Sequence, residues 1–522
     1  MNTQAVYDYI ILGAGPAGVQ MGYFLAKQER KYLILEAGET AGSFFNTFPR
    51  HGKLISINKV YTGYSDTEVN LRWDWNSLLS NEEFLFKNYS KEYFPPAPAL
   101  VQYLHDFTTH FQLHVQYNTR IEHITRDHVF SLRDTQGNCY QAQCLIVATG
   151  VSKPYMPSIP GIEHAELYTE VSMHPEDFIN QRILILGKGN SAFETADNLV
   201  GAAASIHLAS PNSVKMAWQT HFPGNLRAVN NNILDTYQLK SQNAILDANI
   251  ERIDYHDGTY TVTVRYTHAA GEQEKLQYDR VIVCTGFRFD ASIFDDTCRP
   301  HLTINDRLPE QTCEWESTNV DGLYFAGTLM QMRDYKRTTS AFIHGFRYSV
   351  RALANILAQK YHDEPWPSAV INSEPTALTA YVVTRINRTS ALWQQFGTLG
   401  DVIVPGREST AHYYAEMPVD YVHELATMHQ QEYYLLTLEY GPHHVSHEPF
   451  NVERIARHDV SHANQSHFLH PIIRRFVGTQ LISEHHVIED LASEWKEDIH
   501  IQPLLAYFTR EQAFQQTYQQ AA

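Results

Sequence analysis

The chain has 522 residues, 43% of them hydrophobic and 19% charged, which is globular composition and too much length for one ordinary domain. Lysine and arginine total 40 against 58 aspartate and glutamate, and the net charge of −18 argues against nucleic-acid or anionic-membrane surfaces as partners. No apolar run approaches the ~18 residues that span a bilayer, no signal-peptide pattern opens the chain, and five cysteines lack any Cys-x-x-Cys spacing, so a reducing cytoplasm is the expected location.

Tyr9 to Leu12 reads as a buried parallel strand and runs at once into Gly13-Ala14-Gly15-Pro16-Ala17-Gly18, followed by a helical pattern from Val19 to Lys27. In this Gly-x-Gly-x-x-Gly order Gly13 permits a tight turn, Gly15 lets the backbone approach a pyrophosphate, and Gly18 lets helix and strand pack closely. Ala17 stands in the first helical turn, where the phosphates meet the positive end of the helix. A second strand, Lys31 to Leu35, ends at Glu36, whose carboxylate suits two ribose hydroxyls. A lone glycine motif is weak, but strand, motif, helix, strand and acid in order predict a dinucleotide cradle.

Asn58 follows in an extended segment expected to return near the cofactor, where its amide can meet a cofactor carbonyl; a turn-forming asparagine is the plain alternative. A helix from Pro98 to Phe111 and a small meander from Val115 to Tyr140 come next, then a buried strand, Gln143 to Ala148, closing on Thr149-Gly150. Pro154, Pro157, Pro160 and Gly161 suit a crossing between domains.

A second unit repeats the first: Arg182 to Leu186 is a strand, Gly187-Lys188-Gly189-Asn190-Ser191 the turn, and Ala192 occupies the third motif position. Its following strand, Ala204 to Ala209, ends at Ser210 with no acid, which favours NADPH while leaving NADH compatible. Two cradles imply two dinucleotides, FAD on the first and NAD(P)H on the second, and a hydride passing from nicotinamide to flavin. A second Thr-Gly strand, Arg280 to Gly286, returns the chain, and Gly322 to Thr328, with Gly327 at its turn, leads into a helix from Ala341 to Leu357. Its N-terminus is expected to complete the flavin site.

The expected fold is therefore α/β, with two Rossmann-like units and a mixed C-terminal region. The divisions are 1–160 and 285–360 for an FAD-binding domain, 161–284 for an inserted NAD(P)H-binding domain, and 361–522 for a substrate cap or oligomerisation region, a homodimer being one role open to it. The last region is rich in histidine, including His458 and His462 at helical spacing, but nothing completes a recognised metal pattern and no metal is expected.

With the glycine motifs and Thr-Gly strands in place, the chain resembles the flavin-dependent monooxygenases and the wider two-dinucleotide-domain flavoproteins. Within that group the likeness is stronger to a flavoprotein of the endoplasmic reticulum, carried by Phe48 to His51, Leu71 to Leu79, Tyr93 to Pro96, Phe342 to Tyr348 and Phe468 to Pro471. The resemblance implies FAD, NADPH, dioxygen and a small aromatic substrate, reacting through a 4a-hydroperoxyflavin, with Asn58 facing the flavin. The monooxygenase signature ahead of the second glycine motif departs here, because Glu170 replaces a glycine between Tyr168 and His174. The layout is also similar to single-component flavin-dependent halogenases, which implies a halide as further reactant and Lys240 as an amine relay; a helix-end surface lysine is the plain reading. A redox partner of another protein is the alternative from a different class.

Overall fold

The computed structural model describes residues 6–239, 242–425, 427–441 and 453–521, the side chains of 237–239 and 514–521 excepted. The first glycine motif lies between β1 (Val6–Leu12) and α1 (Pro16–Lys27), and β2 (Tyr32–Leu35) pairs parallel to β1. Ile10, Ile11 and Leu12 are all buried, as a parallel strand covered on both faces requires. On the other side of β1 runs β3 (Cys139–Val147), which is shared: its first half pairs antiparallel with Phe130–Asp134 of the meander, and its last three residues pair parallel with the late strand Leu323–Phe325. One 7-stranded sheet thus joins the start of the chain to residues beyond 320.

The second glycine motif lies between β4 (Arg182–Leu186) and α2 (Asn190–Leu199), and belongs to a second 7-stranded sheet. Here β4 sits between β5 (Ser205–Ser210) and β7 (Arg280–Val283), both parallel to it, and β5 is followed outward by β6 (Asn243–His256). The chain leaves the first sheet through Lys153–Pro154 and returns through Phe287–Arg288, and these two segments pair antiparallel, so both crossings run side by side.

A third sheet has 6 strands, in the order 368–372, 410–418, 399–405, 432–439, 470–477, 480–486, all antiparallel. It is bound to the first unit through α3 (Ile343–His362), which packs along α1, and the apolar core runs without a break from Tyr9 and Val19 through Phe346 and Leu353 to Leu436 and Ile473. The helix expected to stop at Leu357 continues to His362, its last turn held where Tyr361 meets the Tyr324 hydroxyl and His362 meets the Tyr9 hydroxyl, each at 2.9 Å. His458 and His462 do not share a helix: His462 lies in the short turn Val460–Gln465 and its Nδ1 bonds to Asp459 at 2.8 Å. Among the described residues no helix is long and apolar enough to cross a membrane.

Two buried arginines hold the irregular segment between β2 and the meander. Arg347, fully buried on α3, donates to the carbonyls of Leu71 (2.7 Å), Asp74 (3.0 Å) and Ser77 (2.7 Å). Arg72 donates to Ile386 and Thr389, both at 3.0 Å, and lies 4.7 Å over the Trp393 ring. Unpartnered loop carbonyls in a core are costly, and the guanidinium fork satisfies several at once.

Candidate functional site: two cradles meeting at one helix

Both glycine turns are built the same way. Gly13 has φ +102°, and a Cβ there would stand 3.0 Å from the Ala148 carbonyl oxygen at the end of β3. Gly187 has φ +127°, and a Cβ there would stand 2.3 Å from the Cys284 carbonyl oxygen just after β7. In each unit, then, the strand closing on Thr-Gly backs the first glycine, and only a residue without a side chain fits. The second glycine behaves oppositely: a Cβ on Gly15 or Gly189 meets nothing within 4 Å, so both face open space. Each is the N-cap of its helix with no side chain capping the helical N–H groups, which leaves them available to an anion. Gly18 is pressed onto β1, its would-be Cβ 1.9 Å from the Gly13 oxygen, whereas Ala192 at the same place in the second unit is simply buried.

Glu36 lies beside the first turn, where its carboxylate accepts from the Ala14 N–H (2.7 Å), the Gly38 N–H (2.8 Å) and the Ser43 hydroxyl (2.7 Å). Three of about four acceptor positions on the carboxylate are thereby taken, leaving room for one ribose hydroxyl rather than two. Gly150 (φ +63°) and Gly286 (φ +85°) follow the backing strands, and both need the left-handed conformation. Gly327 (φ +74°) closes the site from the far end of the sequence: a Cβ on it would lie 2.4 Å from that of Ala17, so the turn rests directly on the first turn of α1.

The second cradle holds its neighbours differently. Asn190 spends its side chain on a loop, donating to the carbonyls of Gly224 (3.2 Å) and Asn225 (2.9 Å) and accepting from the Arg227 N–H (3.0 Å), so only its backbone is left for a ligand. Ser191 lines a small pocket with Tyr168, Cys284 and Gly286. The acid missing at Ser210 stands on the next strand at the same height, because Ser210 pairs with Asp247. Lys188, inside the glycine turn, forms an ion pair with Asp247 and also donates to the carbonyls of Ser210 (3.2 Å) and Asn212 (3.1 Å). Burial alone would raise the Asp247 carboxyl, but bonds from Lys188 and Ser213 outweigh it and hold it at about 2.

Sequence reasoning missed a cluster beside this turn. Glu194, four residues beyond Asn190 on α2, is buried and receives the Tyr168 hydroxyl, and burial pushes its carboxyl up to about 7. The Tyr168 oxygen in turn accepts the Arg50 N–H at 3.3 Å, and the Arg50 guanidinium donates to the carbonyls of Thr169 and Val171. Phe48 stacks on Tyr168 with centroids 6.0 Å apart and meets Phe287 edge-on at 5.5 Å. A loop of the first unit is thus keyed into the second beside the crossing strands. The carboxylate at that helical offset from the glycine turn was the available signal.

The N-terminus of α3 lies between the two cradles. Phe346 is 3.9 Å from the would-be Cβ of Gly327, while Phe342 is 3.2 Å from that of Gly224, on the loop that Asn190 pins. His344 stacks on Trp75 at 3.9 Å, and burial with the Arg347 and Arg227 charges keeps its imidazole neutral. Asn58 is buried with its amide donating to the carbonyls of Ser90 (2.8 Å) and Glu92 (3.3 Å), so its NH₂ group anchors a loop. Its neighbours Ile57 and Lys59 line a surface groove of about 630 Å³ with Tyr61, Trp73 and Tyr93. Lys240 lies outside the described residues.

Comparison with known proteins agrees with this geometry. Residues 10–327 match the family described as pyridine nucleotide-disulphide oxidoreductase. The chain is 38% identical to FAD-dependent oxidoreductase domain-containing protein 2 of Mus musculus, over 95% of this chain and 83% of that protein. Among solved structures, bacillithiol disulfide reductase from Staphylococcus aureus superposes with a TM-score of 0.53 at 19% identity, covering 69% of this chain and all (100%) of that one. A flavin-containing monooxygenase from Stenotrophomonas maltophilia gives 0.51 at 18% identity, covering 68% and 99%. These two share the fold. Two matched glycine cradles, backed by equivalent strands and joined by paired crossings, together with a family match over most of the chain, place this protein in the pyridine nucleotide-disulphide oxidoreductase family.

Proposed function

We propose that this flavin-dependent oxidoreductase binds FAD and NADPH and spends the hydride on dioxygen to oxidise a small aromatic molecule. Gly13, Gly15, Ala17, Gly18, Glu36, Gly150 and Gly327 hold FAD, and Gly187, Gly189, Asn190 (through its backbone), Ser191 and Gly286 hold NADPH. When bound, the flavin supplies two-electron chemistry between a pyridine nucleotide and an acceptor. The division into an FAD-binding unit (1–160 and 285–360), an inserted NADPH-binding unit (161–284) and a C-terminal region (361–522) belongs to the same reading.

The observation that carries it is the pair of open second glycines, each at a helix N-terminus, with the start of α3 between them. The choice of acceptor is supported by the cysteines. Burial raises Cys144 and Cys298 to about 11 and Cys313 to about 12, and raises Cys284 as well, so these thiols are poor nucleophiles, and the sequence offers no Cys-x-x-Cys to receive electrons. Neutral His344 and the aromatic residues around it keep water from the start of α3.

The test is stopped-flow reduction of the purified flavin-loaded protein, followed by oxygen uptake with a panel of phenols and indoles. NADPH should bleach the flavin without oxygen, and one aromatic should raise uptake and leave hydroxylated. Uptake that yields only peroxide whatever is added would overturn the monooxygenase reading. A bromide-dependent mass shift, lost in Lys240→Ala while flavin reduction survives, would decide for halogenation.

A further inference from the structure

The molecule holds a cavity of about 490 Å³ where its three sheets' regions meet, a volume suited to a small organic ligand. Its lining comes from residues of the 313–338 stretch, from 396–398, from Pro418 and Asp420, from 439–441, and from Thr220 of the second unit. Its lining includes the rings of Phe396 and Tyr440 and Pro418, Trp315 being only 2% exposed.

Three of the charged groups around it are ion-paired. Arg333 is paired with Asp420, and Glu439 with Arg474 at 3.2 Å through Nη2. Asp334, 4% exposed, receives the Thr338 hydroxyl, and burial raises its carboxyl above the ordinary range. Lys336 and Arg337 differ. Among the described residues neither meets a carboxylate: Lys336 lies 5.2 Å over the Tyr335 ring, and Arg337 donates to the Arg333 carbonyl at 2.9 Å. Lys336 is moreover held at φ +58°, a conformation a non-glycine residue rarely takes. The chain as a whole carries −18, so its general field repels anions, and two uncompensated cations on one aromatic cavity reverse that field locally.

We infer that this cavity is a binding site for a small organic anion with an aromatic body, its carboxylate or phosphate on Lys336 and Arg337 and its ring against Phe396 and Tyr440. The site stands on the cavity alone, and its test involves no turnover, so it survives or fails independently of the oxygen chemistry.

The flavin-loaded full chain is titrated by calorimetry at low ionic strength with naphthalene-2-carboxylate and with uncharged naphthalene-2-methanol. The carboxylate should saturate a single site, with the alcohol about tenfold weaker or more, the scale of one lost charge-assisted contact. The exposed pair Lys336→Gln and Arg337→Gln together should bring the carboxylate down to the alcohol, with flavin content unchanged, while Lys336→Arg should retain binding. Equal affinity for the two probes, no saturable binding of either, or a carboxylate indifferent to the double substitution would overturn the site.

Discussion

Gly15 and Gly18 stand three residues apart in one motif and answer to different forces. A methyl on Gly18 collides with the Gly13 oxygen at 1.9 Å, whereas a methyl on Gly15 meets no protein atom within 4 Å. Gly18→Ala should therefore cost fold stability, about 1–3 kcal/mol or more from overpacking, seen as a lowered Tm of the apoprotein. Gly15→Ala should leave that Tm unchanged and instead lower the flavin content of the purified protein. Glu194 makes a second residue-scale case. Its folded pKa of about 7 lies above the ordinary 4.5, so its contribution to stability is fully present below 4.5 and is lost as pH rises through about 7. The Tm of the native protein should fall relative to that of Glu194→Gln across this window, and parallel curves for the two would refute the assignment.

Between elements, buried polar ties join segments that the apolar core alone does not fix. Arg347 alone satisfies three loop carbonyls from α3, at 2.7–3.0 Å. Arg347→Met keeps the length of the side chain and orphans all three, at about 1–3 kcal/mol each, so denaturant unfolding should show a loss of at least about 3 kcal/mol. A loss under 1 kcal/mol, roughly one neutral hydrogen bond's net worth, would mean the loop carbonyls find water instead. Arg50 does comparable work between units, carrying a loop of the first onto Thr169 and Val171 of the second. None of these partnerships has a sequence signature: a buried arginine and a surface arginine are the same letter, and only the carbonyls it meets tell them apart.

At the scale of the molecule, the proposed function gives two cradles of the same build separate jobs, and these can be tested separately. Gly189 faces open space as Gly15 does, so Gly189→Ala should weaken NADPH in a titration by about tenfold while the protein stays fully flavin-loaded. Loss of flavin in that variant would show that the second cradle is not independent. The third sheet binds this pair into one body through α3, whose buried face continues the core from Val19 to Ile473.

Both glycine turns were legible in the linear sequence because their constraint is local. The backbone must turn and approach a ligand within six residues, and no side chain permits that, so the letters alone declare it. The α/β class follows from the same stretches. What the sequence left open are meetings between distant segments: Asp247 beside Ser210 with Lys188 bonded to both, Glu194 bonded to Tyr168, Gly327 on Ala17, and Lys336 and Arg337 on one cavity with Phe396 and Tyr440. Asn58 and Asn190 carry the same lesson from the other side, since each is spent largely on loop carbonyls brought to it by the fold. A side chain's chemistry depends on the charges and carbonyls within a few ångströms of it. Those neighbours come from remote parts of the chain, so the cradles were determined by sequence and their surroundings only by tertiary structure.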